Sequence, residues 1–154
     1  MVHLPILIGE DSENDAFLLR RAFAKARISN PLQFVADGEQ VLAYLKGEGI
    51  YNDRKSHPFP ALLLLDIKMP RMNGLETLKA IRKDPELKRL IVIFLTASAQ
   101  ARDINLAFDL RANSYLVKPA TTEKLAEALT NLKNFWFALN QYPSCPVPQA
   151  SFQI

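Results

Sequence analysis

Residues Ala61, Leu62, Leu63, Leu64 and Leu65 form an apolar run without alternation, and the run stops at the carboxylate of Asp66. A short unalternating run of this kind marks a strand buried on both faces, in a sheet covered by helices on each side. Leucine also favours helix, but Pro60 before the run and Pro70 after it leave little room for one. Asp66 therefore stands at the carboxyl end of a central strand. Open α/β sheets place their ligand crevice at that end. A strand-end Asp also caps turns, so Asp66 taken alone carries either role.

The rest of the chain alternates around this run. Residues 3–9 read as a first strand ending at Glu10 and Asp11. Ser12 caps the helix that follows, with Asp15 three residues on in the manner of a capping box. Ala16, Leu19, Phe23 and Ala26 then recur at helical spacing. A second strand covers 32–36, and a short helix marked by Val41, Leu42 and Leu45 stops at Gly47. Residues 47–60 are a loop, long for a compact α/β unit. After the central strand, Asn73 caps a helix carrying Leu75, Leu78 and Ile81. A fully apolar strand over 90–95 stops at Thr96, and Ser98 is positioned to cap a helix with Ala101, Ile104, Ala107 and Phe108. A last strand over 114–117 precedes Lys118 and Pro119. Thr121 or Thr122 caps a final helix whose stripe is Leu125, Leu129, Leu132, Trp136 and Leu139. Five strands alternating with five helices predict a doubly wound parallel α/β sheet of order 2-1-3-4-5. The folded unit spans 1–140, with a proline-containing tail over 141–154.

In a parallel sheet the carboxyl ends of all strands lie at one rim. That rim gathers Glu10, Asp11, Asp66, Thr96 and Lys118. Three carboxylates close together repel one another, and a hard divalent cation with oxygen ligands offsets them; Mg2+ suits such a site. Lys118 supplies a compact positive charge for a phosphoryl group, and Thr96 a hydroxyl. Asp66, central among them, is placed to act as nucleophile and form an aspartyl phosphate.

These residues resemble the receiver domains of bacterial two-component response regulators, which have a flavodoxin-like fold. The matching pieces are Glu10 with Asp11, Asp66 followed by Met69, Pro70 and Gly74, Thr96 with Ala97, and Tyr115 with Lys118 and Pro119. The resemblance covers residues 4–139. It implies that Asp66 accepts phosphate from a sensor histidine kinase. Asp11 would hold Mg2+ directly and Glu10 through water, with Asp66 and the backbone carbonyl of Lys68 as further ligands. Lys118 would pair with the phosphoryl group. Thr96 and Tyr115 would move together as a packing switch. The long loop before Phe59, the approach to Tyr115 and the lack of an output domain look closest to single-domain regulators paired with phytochrome-type kinases. Two positions depart from the family pattern. Arg111 stands where many receivers have glycine, so its turn must differ or take a positive φ, and Ala120 replaces a bulky aromatic common after Pro119.

Several other classes are disfavoured. The formal charge is +3, and the cluster of Lys79, Arg82, Lys83, Lys88 and Arg89 reads as a solvated helix face rather than a nucleic-acid surface. Cys145 is the single cysteine, so no internal disulfide forms. No signal peptide and no membrane span are visible, which makes the cytoplasm the expected location. His3 reads as a strand-edge residue and His57 as an exposed loop residue. An aspartate-nucleophile phosphatase wants a second acid two residues after the nucleophile, and Lys68 stands there. A flavin carrier wants a Ser/Thr/Gly-rich loop after the first strand, which Glu10, Asp11, Ser12 and Glu13 do not provide. A docking-only pseudo-receiver is the remaining alternative. Phe135, Trp136 and Phe137 spread aromatics over more helix surface than one core stripe needs. Either the tail folds back over them or a second copy covers them, and a homodimer through the last helix and tail is expected.

Overall fold

A computed structural model describes residues 4–146. Five parallel strands form one sheet: β1 (Ile6–Gly9), β2 (Leu32–Val35), β3 (Leu62–Leu65), β4 (Ile91–Thr96) and β5 (Ser114–Val117), in the order β2-β1-β3-β4-β5. The connecting helices are α1 (Glu13–Lys25), α2 (Gly38–Lys46), α3 (Gly74–Lys83), α4 (Ala101–Asp109) and α5 (Thr122–Leu132). The order is the one expected from sequence.

The β3 leucines divide by parity because successive side chains of a strand point to opposite faces. Leu63 and Leu65 join a core with Val41, Tyr44 and Leu45 of α2, Leu78 and Ile81 of α3 and Ala107 of α4. Leu62 and Leu64 join a second core with Leu19, Ala22 and Phe23 of α1 and Leu125, Leu129 and Leu132 of α5. All four are buried, which is why the run shows no alternation.

Local signals set most helix starts. Ser12, Asp37, Asn73 and Thr121 each accept a hydrogen bond from the backbone amide three residues on. At Asn73 the capping box is complete, with the Glu76 side chain accepting from the Asn73 amide. The expected Ser98 cap is corrected: α4 starts only at Ala101, preceded by Gln100, which makes no side-chain cap. Ser98 instead donates to Asp103 Oδ2 at 2.6 Å, tying the β4–α4 loop to the first turn of the helix.

Two further expectations change. His57 is half-buried, edge-on to the rings of Tyr44 and Tyr51 at 5.8 and 5.3 Å. The 47–60 loop is a packed unit rather than an open excursion: it contains a 3-10 turn (Gly49–Tyr51), buries Phe59, and sends Arg54 back to the carbonyls of Tyr44 and Leu45 at 2.7 and 2.8 Å. Both carbonyls belong to the last turn of α2; the Tyr44 carbonyl also accepts from the Gly47 amide, and the guanidinium adds a partner to each. At the far end α5 passes into a π-helical turn (Lys133–Phe137). Trp136 and Phe137 lean on the second core, as does Tyr142, whose hydroxyl donates to the Trp136 carbonyl. The tail thus turns back in part. His3 and residues 147–154 lie outside the described residues.

Arg111 takes the left-handed conformation, φ 66°. Its carbonyl accepts two hydrogen bonds from Arg82, whose guanidinium also reaches the Lys88 and Leu90 carbonyls and Asn113 Oδ1. This binds the end of α3 to the turn before β5. A left-handed φ strains any residue with a Cβ, while Arg111 accepts from Arg82 only through its backbone carbonyl. Arg111→Gly is therefore expected to raise unfolding stability by about 1 kcal/mol, read by chemical denaturation, with unchanged cooperativity.

Candidate functional site

Strand register builds the site. Gly9 lies opposite Leu65 in the β1–β3 pair, so Glu10 and Asp66 leave the sheet side by side. The Asp66 amide donates to the Gly9 carbonyl at 3.0 Å, and the Glu10 amide to the Val35 carbonyl at 2.9 Å. On the other side Thr96 lies opposite Val117, and the Lys118 amide donates to the Thr96 carbonyl at 2.7 Å. Gly74 allows the loop after Asp66 to close tightly: its amide donates to the Ile67 carbonyl at 2.8 Å, and a Cβ there would run into the Asp66 carbonyl oxygen.

The Lys118 ammonium is the hub. Its Nζ donates to Asp66 Oδ2 at 2.9 Å, to Asp15 Oδ2 at 3.1 Å and to Glu10 Oε1. An ammonium has three donors, and all three are engaged with carboxylates. Burial would drive Lys118 down, but the carboxylates of Glu10 and Asp66 outweigh it and hold the ammonium above its usual range. Burial likewise pushes the Glu10 carboxyl up, against the pull of Lys118. The second oxygen of Glu10 accepts from the Ser12 amide at 3.2 Å.

Glu10, Asp15 and Asp66 each offer a carboxylate oxygen, and these atoms lie within 4.8 Å of one another. An all-oxygen set with surplus negative charge fits a hard divalent cation. Asp15 is the member whose spacing from Ser12 marks it only as a helix cap. Its amide does meet Ser12 Oγ, but its side chain leaves the capping box for Lys118. No helical spacing marks it, because Asp15 is the third residue of α1 while Asp11 precedes the Ser12 cap. Asp11 itself is exposed and stands outside this group of three. Lys68 is exposed in the β3–α3 loop, on the wall of a cleft of about 500 Å³ that Asn73, Ala97, Ser98 and Arg102 also line.

Thr96 is buried at the β4 end, and its hydroxyl accepts from the Ser98 amide at 3.4 Å. Tyr115 points inward. Its hydroxyl donates to the Ser98 carbonyl at 2.9 Å, and its ring rests on Phe94 at 5.8 Å. Burial raises the Tyr115 phenol, so it stays a neutral donor.

A clamp holds the loop beyond Asp66. The buried carboxylate of Asp37 accepts from the Gln40 amide at 2.8 Å and from both Nε and a terminal nitrogen of Arg71. The Gly38 amide donates to the Met72 carbonyl at 3.0 Å. Arg71 has a φ of 63°, and the paired guanidinium sustains that strained backbone.

A parallel βα sheet whose carboxyl rim joins a central Asp to acidic partners, a hydroxyl and a buried lysine defines a phosphoacceptor switch domain. The chain matches the response regulator receiver domain over residues 6–130 and belongs to that family. Response regulator Rcp1 of Synechocystis is 32% identical over 139 residues, covering 90% of this chain and 92% of Rcp1. The crystal structure of response regulator RPA3017, in red light signaling of R. palustris, superimposes with a TM-score of 0.87 at 39% identity, over 92% of this chain and 99% of that one. The phosphorylated cyanobacterial phytochrome response regulator RcpA gives 0.84 at 34% identity, over 93% of this chain and all of the other. A structure of Rcp1 is of its Mn(2+)-bound form.

The clamp sets an acid dependence. Burial alone would raise the Asp37 carboxyl, but the Gln40 amide and the Arg71 guanidinium outweigh burial and hold it below the usual carboxylate range. A depressed carboxyl stabilises the fold fully above the ordinary value of about 3.9, and that stability is lost as pH falls through the lowered value. Denaturation profiles should therefore show wild type losing stability on acidification below about pH 4. Asp37→Asn should be weaker at neutral pH by about 1–3 kcal/mol and flatter in the acid range.

Proposed function

We propose that the chain is the phosphoacceptor of a histidine-to-aspartate relay, with Asp66 as the residue modified and a phytochrome-type sensor histidine kinase as donor. The observation that carries this reading is the placement of the Asp66 carboxylate within hydrogen-bond distance of the Lys118 ammonium, at a rim shared with Glu10. The light-sensing donor is supported by relatives described as phytochrome or red-light response regulators. Among the described residues no helix is long and apolar enough to cross a membrane.

In the transfer, an Asp66 oxygen forms the new P–O bond as the P–N bond to the donor imidazole breaks, and the imidazole nitrogen keeps the electron pair. Of the three clustered carboxylates, Glu10 and Asp66 would hold Mg2+, completed by Asp11 and the Lys68 carbonyl, with Asp15 kept on Lys118 outside the metal shell; the ion would neutralise charge on the phosphoryl oxygens. Lys118 turns a donor from its carboxylates to the phosphoryl group. Thr96 follows the phosphoryl from its strand end, and Tyr115 fills the space behind it. Because the Tyr115 hydroxyl already holds the Ser98 carbonyl, phosphorylation stabilises an arrangement the free chain samples.

Incubation with phosphoramidate and Mg2+, followed by intact mass, tests the assignment. Wild type should gain one phosphoryl group and Asp66→Asn none; a wild type that gains nothing contradicts it.

The output is proposed to pass through a homodimer. Phe135 is 50% and Leu139 70% exposed although Tyr142 turns back over the adjoining surface. Sedimentation should show a dimer at micromolar concentration, and Phe135→Ser with Leu139→Ser should be monomeric. A wild type that sediments as monomer with and without phosphorylation would remove the dimer.

A further inference from the structure

Asp15 is anchored by its amide while its carboxylate is free to act elsewhere. In a capping box the side chain of the third helical residue returns to the amide of the cap. Here the Ser12 amide is already taken by Glu10 Oε2, so the Asp15 carboxylate turns to Lys118. It differs from the other two partners in where it stands. The side chains of Glu10 and Asp66 are 2% and 11% exposed, whereas that of Asp15 is 42% exposed. Asp15 therefore forms the solvent side of the cluster, and an anion approaching Asp66 meets its charge at the entrance.

We propose that Asp15 determines which phosphodonors the site accepts, by opposing free, highly charged ones. This deepens the phosphoacceptor reading and rests on it. Two effects act together. Asp15 occupies the third donor of Lys118, which a phosphoryl group must win. Its own charge also repels the donor, with its carboxylate oxygen within 4.8 Å of oxygens on Glu10 and Asp66. At that range, beside a partly buried cluster, one unit of charge is worth on the order of tenfold in rate after screening. Both effects grow with the negative charge of the donor. A kinase that brings its phosphoryl group on a docked protein surface can offset the repulsion with contacts elsewhere; a free small molecule cannot.

The test compares acetyl phosphate, a dianion at neutral pH, with phosphoramidate, a monoanion. In each reaction Asp66 gains a P–O bond. Acetate leaves with the electrons of the broken P–O bond in the first, and ammonia leaves after protonation of its nitrogen in the second. Rates are read by intact mass with Mg2+ at low and high ionic strength. Asp15→Asn should speed the reaction with acetyl phosphate about tenfold, and that with phosphoramidate about threefold or less. The gain should shrink at high salt. Asp15→Glu, which keeps the charge, should restore the slow wild-type behaviour.

Slower phosphorylation of Asp15→Asn with a raised Mg2+ requirement would make Asp15 a metal ligand and overturn the proposal. So would an unchanged rate, a change equal for both donors and indifferent to salt, or a defect in Asp15→Glu matching that of Asp15→Asn. A wild type that accepts phosphorus from neither donor fails at the phosphoacceptor reading itself, and the proposal falls with it.

Discussion

One ammonium group sets the terms for the whole rim. Glu10 and Asp66 leave adjacent strands at the same level, and Asp15 enters from the first turn of α1. Without a cation these carboxylates would repel one another in a largely buried setting. Lys118 comes from β5, the opposite edge of the sheet, so all of the intervening register must be right for it to arrive. The sheet is thus the frame, and the charge cluster depends on the frame holding four segments at one height. Neither the leucines of β3 nor the caps of the helices do chemistry, yet each fixes the height at which a charged group emerges.

The elements around the rim are tied so that a change there can be felt elsewhere. Asp66 is followed within a few residues by Gly74, packed on the Asp66 carbonyl, and by Arg71, locked to the buried Asp37. That side of the site is stiff. The other side is built differently: Thr96, Ser98 and Tyr115 are linked by single hydrogen bonds at the edge of a cleft. In the proposed switch, a local charge event moves the weaker side first, because packed elements shift between discrete arrangements while the clamped loop stays.

Much of this was legible in the sequence, for physical reasons that can be named. Leu62–Leu65 declared a strand covered on both faces because no polar residue interrupts it, and Gly, Pro and the capping residues marked the other boundaries. The strand-end positions of Glu10, Asp66, Thr96 and Lys118 followed from topology alone. What topology does not fix is side-chain destination. Asp15 read as a cap because its spacing from Ser12 fits one, and only the prior claim of Glu10 on the Ser12 amide releases it. Ser98 misled in the same way, its hydroxyl being drawn to Asp103 beyond the expected helix start. The packing of His57 between Tyr44 and Tyr51, and the π-helical turn under Trp136, depend on long-range contacts that carry no short-range pattern.

The central claim is that Lys118 gives up a carboxylate partner to hold a phosphoryl group on Asp66. A crystal structure with Mg2+ and beryllofluoride, which mimics a phosphoryl group on a carboxylate, tests it directly. The account requires the mimic on an Asp66 oxygen, with Lys118 Nζ hydrogen-bonded to it and the metal held among the acidic side chains. A bare Asp66, or a Lys118 Nζ that keeps all three of its bonds to Glu10, Asp15 and the Asp66 carboxylate and makes none to the bound mimic, would contradict it.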